Sequence, residues 1–173
     1  MKMKTWMVIV MAAMLAFAVA DGVDAADYVG VKKCKMCHMK QYKSWSKTRM
    51  SKAFELLKPG VAAEAKKAAG VDPNKDYTAD ASCLGCHTTN GKADMPGVQC
   101  EACHGAGSDF MKVMMTNRNY KREDIKKKGL NPVPDEAVCK KCHNKSSPFY
   151  KEFNYAERVK KGTHEHFPLK KQH

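Results

Sequence analysis

The chain has 173 residues, and its 31 Lys and Arg outnumber its 18 Asp and Glu, which gives a formal net charge of +13. This length is that of one ordinary domain and argues against several. The eight Cys and seven His are the unusual part of the composition, and their placement indicates the class of protein.

Residues 1–25 have the features of an export signal. A basic start, MKMKT, precedes an apolar run from Trp6 to Val19, which is short for a membrane span. Small residues at 18–20 and at 23–25 offer two cleavage sites. We favour the second, so that residues 26–173 form the exported domain; the alternative is an uncleaved anchor. Export argues against nucleic acid as the partner of this basic chain.

All eight Cys belong to four copies of one pattern, C-x-x-C-H, which is the attachment signature of c-type haem. Two thiols about one helical turn apart form thioethers with one porphyrin edge, and the adjacent His binds the iron. The sequence therefore predicts a tetrahaem cytochrome c. The motif residues are Cys34, Cys37 and His38; Cys83, Cys86 and His87; Cys100, Cys103 and His104; Cys139, Cys142 and His143.

Disulfides and zinc are the competing uses of these Cys. Exported proteins often pair their Cys in disulfides, but four disulfides place no demand on a His after each pair. Structural zinc sites combine two half-sites, and they need no His directly after every second Cys. Covalent haem accounts for every Cys and for the position of four His.

Four haems provide large apolar plates that replace much of a side-chain core. We therefore expect a mainly α fold of short helices and long loops around four covalently bound haems, with little or no β-sheet. In chain order, helices are predicted over 41–57, 61–69 and 121–128, the last of them solvated, and a linker at 131–134 leads into the fourth motif. Only twelve residues separate His87 from Cys100, so the second and third haems should be neighbours.

The remaining His limit the axial ligands. Four of the seven are proximal, which leaves His164, His166 and His173. Bis-His ligation of four irons needs four distal His, so at least one haem must lack a distal His ligand. Residues two apart point in different directions on a helix, so the first two should supply one ligand. The other irons need a distal Met, another donor or no sixth ligand, although Met also fills gaps in cores.

The basic surface predicts partners of opposite charge. With its haems the exported domain carries about +9 when oxidised and about +5 when reduced. Such a surface attracts acidic redox proteins, most strongly at low salt. The alternative is that the Lys residues simply solubilise a haem-dense particle. We expect periplasmic redox proteins with acidic docking surfaces as partners, no nucleic acid, and no stable membrane span after cleavage.

Longer stretches of the chain resemble the tetrahaem cytochrome c-554 family of ammonia-oxidising bacteria. They are ADYVGVKKCKMCH at 26–38, QYKSW at 41–45, DPNKDYTAD at 72–80, GVQCEACHGAG at 97–107 and HEHF at 164–167. The resemblance is collinear from 26 to 143 and resumes at the C-terminal His residues. It implies a mostly α-helical fold, haems in parallel-stacked and perpendicular pairs, three bis-His haems, and a five-coordinate haem at the second motif.

The resemblance also implies the distal ligands, and this chain departs from two of them. The first His of HEH is His164, the implied distal ligand of the first haem. The other two distal His positions fall on Met50 and Met114, whose thioethers can also bind iron. Met115 is the register alternative to Met114. The haem at His87 would then lack a sixth protein ligand.

These observations predict an exported electron carrier that passes single electrons between periplasmic redox partners, with potentials set by the distal ligands and the surrounding dielectric. One alternative is an enzyme that reduces or oxidises a small nitrogen compound or a peroxide at an open iron held by His87. Another is a polymerising cytochrome that conducts along a filament. No acid–base constellation stands out in the sequence, which favours the carrier.

Overall fold

The structure is a computed structural model that describes residues 25–169. The predicted signal segment, apart from Ala25, and His173 lie outside the described residues. Within this range the chain forms nine short α-helices and one 3₁₀ helix. In chain order they are α1 (Val31–Cys37), α2 (Met39–Trp45), the 3₁₀ helix (Met50–Leu57), α3 (Ala63–Ala68), α4 (Ala81–His87), α5 (Cys100–His104), α6 (Ser108–Thr116), α7 (Arg122–Lys126), α8 (Glu136–Lys140) and α9 (Tyr155–Gly162).

The prediction of a mainly α fold of short helices and long loops is confirmed. No strand forms among residues 25–169, where the isolated bridge between Thr88 and Pro96 is the extent of β pairing. In the same range, no helix combines the length and the apolar character that a membrane crossing requires.

The helix predicted over 41–57 is interrupted in the structure. α2 ends at Trp45 and the 3₁₀ helix starts at Met50. Between them, the Thr48 hydroxyl donates to the Trp45 carbonyl at 2.7 Å, and the Ser51 hydroxyl donates to the Thr48 carbonyl at 2.8 Å. Hydroxyls that bind nearby carbonyls compete with helical pairing, so the regular α-helix stops here.

The other predicted helices agree with the structure to within a few residues. α3 ends shortly before Gly70, whose φ of +70° terminates the helical segment. α7 is shorter than the predicted 121–128, and its Ile125 is fully buried. This helix is therefore not wholly solvated, because its one apolar side chain is buried while its charged residues face water.

Few apolar side chains are buried, and those in the described range are Trp45, Leu57, Tyr77, Leu84, Phe110 and Ile125. Leu57, Tyr77 and Leu84 form a cluster that holds the 3₁₀ helix against α4, the helix of the second motif. Burial of so few side chains offsets little of the conformational entropy lost on ordering the chain. This is the expected condition of a fold whose core is completed by cofactors.

A close approach of two backbones fixes the end of the third motif. Gly105 follows His104 with a φ of +89°, and a Cβ at this position would lie 2.3 Å from the carbonyl oxygen of Gly129. The Asn131 N–H donates to the His104 carbonyl at 2.9 Å. Residues 129–131 therefore pack directly on the C-terminal end of α5.

We predict that Gly105→Ala destabilises the haem-loaded protein by about 3 kcal/mol, because a methyl group would overlap the Gly129 carbonyl in addition to straining the backbone. Gly129→Ala is the matched control, since Gly129 also has a positive φ but a Cβ there meets open space. Its expected cost is about 1 kcal/mol. Denaturant unfolding followed by circular dichroism measures both, and equal losses would contradict the role of the close approach.

Candidate functional site

Each C-x-x-C-H motif lies on a short helix or on the turn that ends one. The first lies on α1, with His38 as the C-cap, and the second and third lie on α4 and α5. The fourth starts on α8 and ends in the following turn, where the His143 N–H donates to the Cys139 carbonyl at 3.0 Å. Residues three apart on a helix share a face, so each motif presents both thiols to one side.

Two of the motif helices begin at an Asp side chain. Asp80 accepts the Ser82 N–H at 3.0 Å ahead of the second motif, and Asp135 accepts the Val138 N–H at 3.2 Å ahead of the fourth. Such caps stabilise helices too short to form alone. Hydrogen bonds from Ser82 also hold the pKa of Asp80 below its usual value. The stabilisation by this cap is therefore complete above the unfolded-state pKa and is lost as the pH falls through the lowered one.

Backbone carbonyls orient two of the proximal imidazoles. Nδ1 of His87 lies 2.7 Å from the Ala53 carbonyl oxygen, and Nδ1 of His104 lies 2.8 Å from that of Asn131. In each case Nδ1–H donates to the carbonyl, which leaves Nε2 with its lone pair free for iron. Burial lowers the pKa of His104, so the ring stays neutral, which is the form that binds a metal.

An aromatic ring flanks the fourth proximal His. The rings of His143 and Phe153 are stacked, with centroids 4.6 Å apart and planes 21° apart. Stacking restricts rotation of the imidazole. Phe153 therefore holds the ring plane of His143, as the carbonyl of Ala53 does for His87.

Thiols from different motifs meet in pairs. Cys34 contacts Cys100 and Cys86 contacts Cys142, while Cys103 lies near enough to Cys139 for the two thiols to interact electrostatically. These two contacts and this proximity give the motifs the spatial order first, third, fourth, second. The thiol contact of the second motif is thus with the fourth, although the third is much closer in sequence.

His164 lies beside the proximal His of the third motif. Its ring centroid is 6.2 Å from that of His104, and the next residue, Glu165, donates its N–H to the Ser44 hydroxyl of α2 at 2.9 Å. Two imidazoles that share one metal through bonds of about 2 Å have centroids about 6 Å apart. Nδ1 of His164 is paired with the Glu165 carbonyl at 2.8 Å, which leaves Nε2 free. Assignment of His164 to the first haem stays a prediction, and the third haem is a second candidate.

The other His of the HEH stretch is close by. The His166 ring lies 5.1 Å from the His164 ring, at 50° to it. Both rings therefore lie in the same cluster as His104. That one ligand comes from this pair also stays a prediction.

Met50 and Met114 are both half-buried, and they lie on different elements. Met50 opens the 3₁₀ helix, and its carbonyl accepts the Val98 N–H at 3.0 Å, two residues before the third motif. Met114 lies on α6, whereas its neighbour Met115 exposes 77% of its surface. The structure therefore favours Met114 over the register alternative, and iron ligation by either Met stays a prediction.

The packing of the chain fits haem at these motifs. Met36, inside the first motif, exposes 74% of its surface, and the buried side-chain cluster is small. Porphyrins would cover such apolar surface. Among residues 25–169, no three His, Cys, Asp or Glu side chains converge as a bare metal ion requires. Four C-x-x-C-H motifs on short helices and the turns that end them, with three of the four imidazoles held by neighbouring groups, define a multihaem c-type cytochrome.

Comparison with known proteins identifies the family. The family model for "Cytochrome c554 and c-prime" matches residues 33–105. Cytochrome c-554 of Nitrosomonas europaea is 35% identical over 183 aligned positions, which cover 83% of this chain and 77% of that protein. The solved reduced state of cytochrome c554 from that organism matches with a TM-score of 0.70 and 34% identity, over 84% of this chain and 88% of the other. The chain belongs to the cytochrome c-554 family.

Family membership confirms the resemblance, the haem cofactors and the class of activity. The protein is a multihaem c-type cytochrome with four covalently bound haem c groups, and it carries electrons. Sequence reasoning missed the carbonyls of Ala53 and Asn131, because a backbone acceptor has no side-chain signature. It also missed Phe153, since an aromatic residue ten positions after the fourth motif carries no specific signal.

We predict that Met50→His and Met114→His each lower the reduction potential of one haem, because a distal imidazole replaces a thioether that favours the ferrous state. The far-red charge-transfer absorption of thioether-ligated ferric haem should weaken at the same time. Met115→His is the matched control and should change neither. Unchanged potentials in both variants would show that these Met residues only pack.

Proposed function

We propose that this protein is exported to the periplasm and passes single electrons between redox partners there. The export-like segment 1–25 and the electron-carrier family support the proposal. The observation that carries it is the continuous order in which the motifs adjoin, first to third to fourth to second, with thiol contacts at both ends and the thiols of Cys103 and Cys139 near each other in the middle. Such an order provides a route with two separate ends, as a carrier between two partners needs.

Haem c supplies the one-electron exchange between ferric and ferrous iron. The residues of the chain hold the haems in place and tune that exchange. The Cys pairs fix each ring covalently, and the Nδ1–H bonds of His87 and His104 fix two imidazole planes and raise the basicity of the ligand. Rigid attachment limits movement between the two oxidation states, which favours fast transfer.

The proposed partners are periplasmic redox proteins with acidic docking surfaces, and we propose no role for nucleic acid or for a membrane span after cleavage. The chain carries a net charge of +13. Lys32, Lys33 and Lys40 are exposed around the first motif, which is one end of the contact order. Positive charge at the point of electron entry would orient an acidic partner during encounter.

Replacing Lys33 and Lys40 by Glu should slow electron exchange with an acidic plant-type ferredoxin about tenfold at low ionic strength, since steering toward the first motif is reversed. Stopped-flow measurement at several salt concentrations should show a weaker salt dependence than in the unchanged protein. The control, Lys127→Glu with Lys128→Glu, changes the net charge equally beside α7, which carries no motif. An equal effect would mean that total charge, not the first motif, directs the encounter.

The haem at the second motif is proposed to lack a sixth protein ligand. Low-temperature electron paramagnetic resonance of the ferric protein should then show about one high-spin haem in four, and an added small ligand should shift that signal. Ligand-dependent turnover at this iron would favour the enzyme over the carrier. Four low-spin haems whose signals do not change when the ligand is added would contradict the open iron. The electron-carrier function would then be the one that remains.

A further inference from the structure

Glu101 is a buried carboxylate inside the third haem motif. It lies directly after Cys100 and exposes 2% of its surface. Its Oε1 accepts the N–H groups of Val29 at 2.9 Å and Gly107 at 2.7 Å, and its Oε2 accepts that of Gly30 at 2.7 Å. Both oxygens accept from N–H donors, which suits the ionised carboxylate. None of the ion pairs formed within residues 25–169 involves it.

These bonds cap the helix of the first motif. Gly30 is the N-cap of α1 and Val31 is its first residue, so their N–H groups have no partner inside the helix. Glu101 takes the first of them, and the Gln99 side-chain oxygen takes the second at 2.8 Å. The third motif therefore supplies the cap that the first motif's own sequence lacks.

Gly107 makes room for this carboxylate. A Cβ at Gly107 would lie 2.8 Å from Oε1 of Glu101 and 2.9 Å from a methyl carbon of Val29. The backbone of Gly107 has a φ of −88°, which any residue can adopt. The absent side chain thus serves the fit around Glu101 rather than the backbone conformation.

The charge of Glu101 also reaches the haem-binding residues of both motifs. It interacts electrostatically with the thiols of Cys34 and Cys100, which are themselves in contact. A buried negative charge favours the more positive state of a nearby redox centre, and its effect is strong where water is excluded. Here that state is ferric iron.

We propose that Glu101 is a positioning residue that fastens the first motif to the third, and that its charge keeps the reduction potentials of the haems attached there low. The proposal rests on the haems of the electron carrier but not on its partners or its compartment. Measured equilibrium potentials can therefore support or overturn it, whether or not the proposed redox partners are correct.

Glu101→Gln removes the charge and keeps the shape, but its amide nitrogen cannot accept the N–H bond that one carboxylate oxygen accepts. In an equilibrium spectroelectrochemical titration of the four-haem protein, two of the four potentials should rise. A fivefold change in the ferric-to-ferrous ratio at fixed potential corresponds to about 40 mV, at 59 mV per tenfold change for one electron. Glu123→Gln, at an exposed carboxylate on α7, is the matched control and should leave all four potentials in place.

Gly107→Ala distinguishes the effect of the Glu101 charge from the effect of its capping hydrogen bonds. It keeps the carboxylate but crowds it, so amide hydrogen exchange at 29–31 should accelerate while the four potentials stay close to those of the unchanged protein. A purely structural Glu101 would give the same potentials in Glu101→Gln and in the unchanged protein, and that result would overturn the proposed electrostatic role. Unchanged exchange at 29–31 in both variants would overturn the positioning role.

If Glu101→Gln does not assemble with four haems, Gln99→Glu provides the second test. It adds a carboxylate at the neighbouring capping position and, at mildly alkaline pH where it is ionised, should lower two potentials. Potentials that do not change would equally overturn the electrostatic role.

Discussion

The need to present two thiols and one imidazole within five residues is the constraint on which this structure depends. One turn of helix meets it, and the chain forms little more than that turn at each motif, as α5 (Cys100–His104) shows most directly. Helices this short are marginal alone. They persist because of side-chain caps such as Asp80 and Asp135, contacts with neighbouring segments, and the cofactor that they bind.

The segments between motifs form the second coordination sphere. The 3₁₀ helix packs Leu57 against the helix of the second motif and also offers the Ala53 carbonyl to His87. Residues 129–131 do the same for the third motif, where Gly129 meets Gly105 and the Asn131 carbonyl accepts from His104. Each connection thus supports a helix and aims the ligand on that helix. Packing and iron chemistry are not separable here, because one segment provides both.

The features dictated by covalent chemistry were predictable from sequence, namely the haem count and the short helices. The interruption of the first predicted helix was not predictable. The apolar periodicity continued through 46–49, but there the Thr48 hydroxyl binds the Trp45 carbonyl and competes with helical hydrogen bonding. The pairing of motifs was also not predictable from spacing, because thiol contacts such as Cys34 with Cys100 join distant segments. Glu101 lay inside the stretch 97–107 that resembles the family, yet its role depends on N–H groups about seventy residues earlier.

That separation has a consequence for the order of assembly. The N–H of Gly30 and the carboxylate that caps it are 71 positions apart, and domains form from the N-terminus as the chain is made. Until residues 99–107 exist, α1 lacks the two side chains that cap its N-terminus. Arrival of the third motif then completes this cap. The first motif to be made is thus held by a segment that is made only after the second motif.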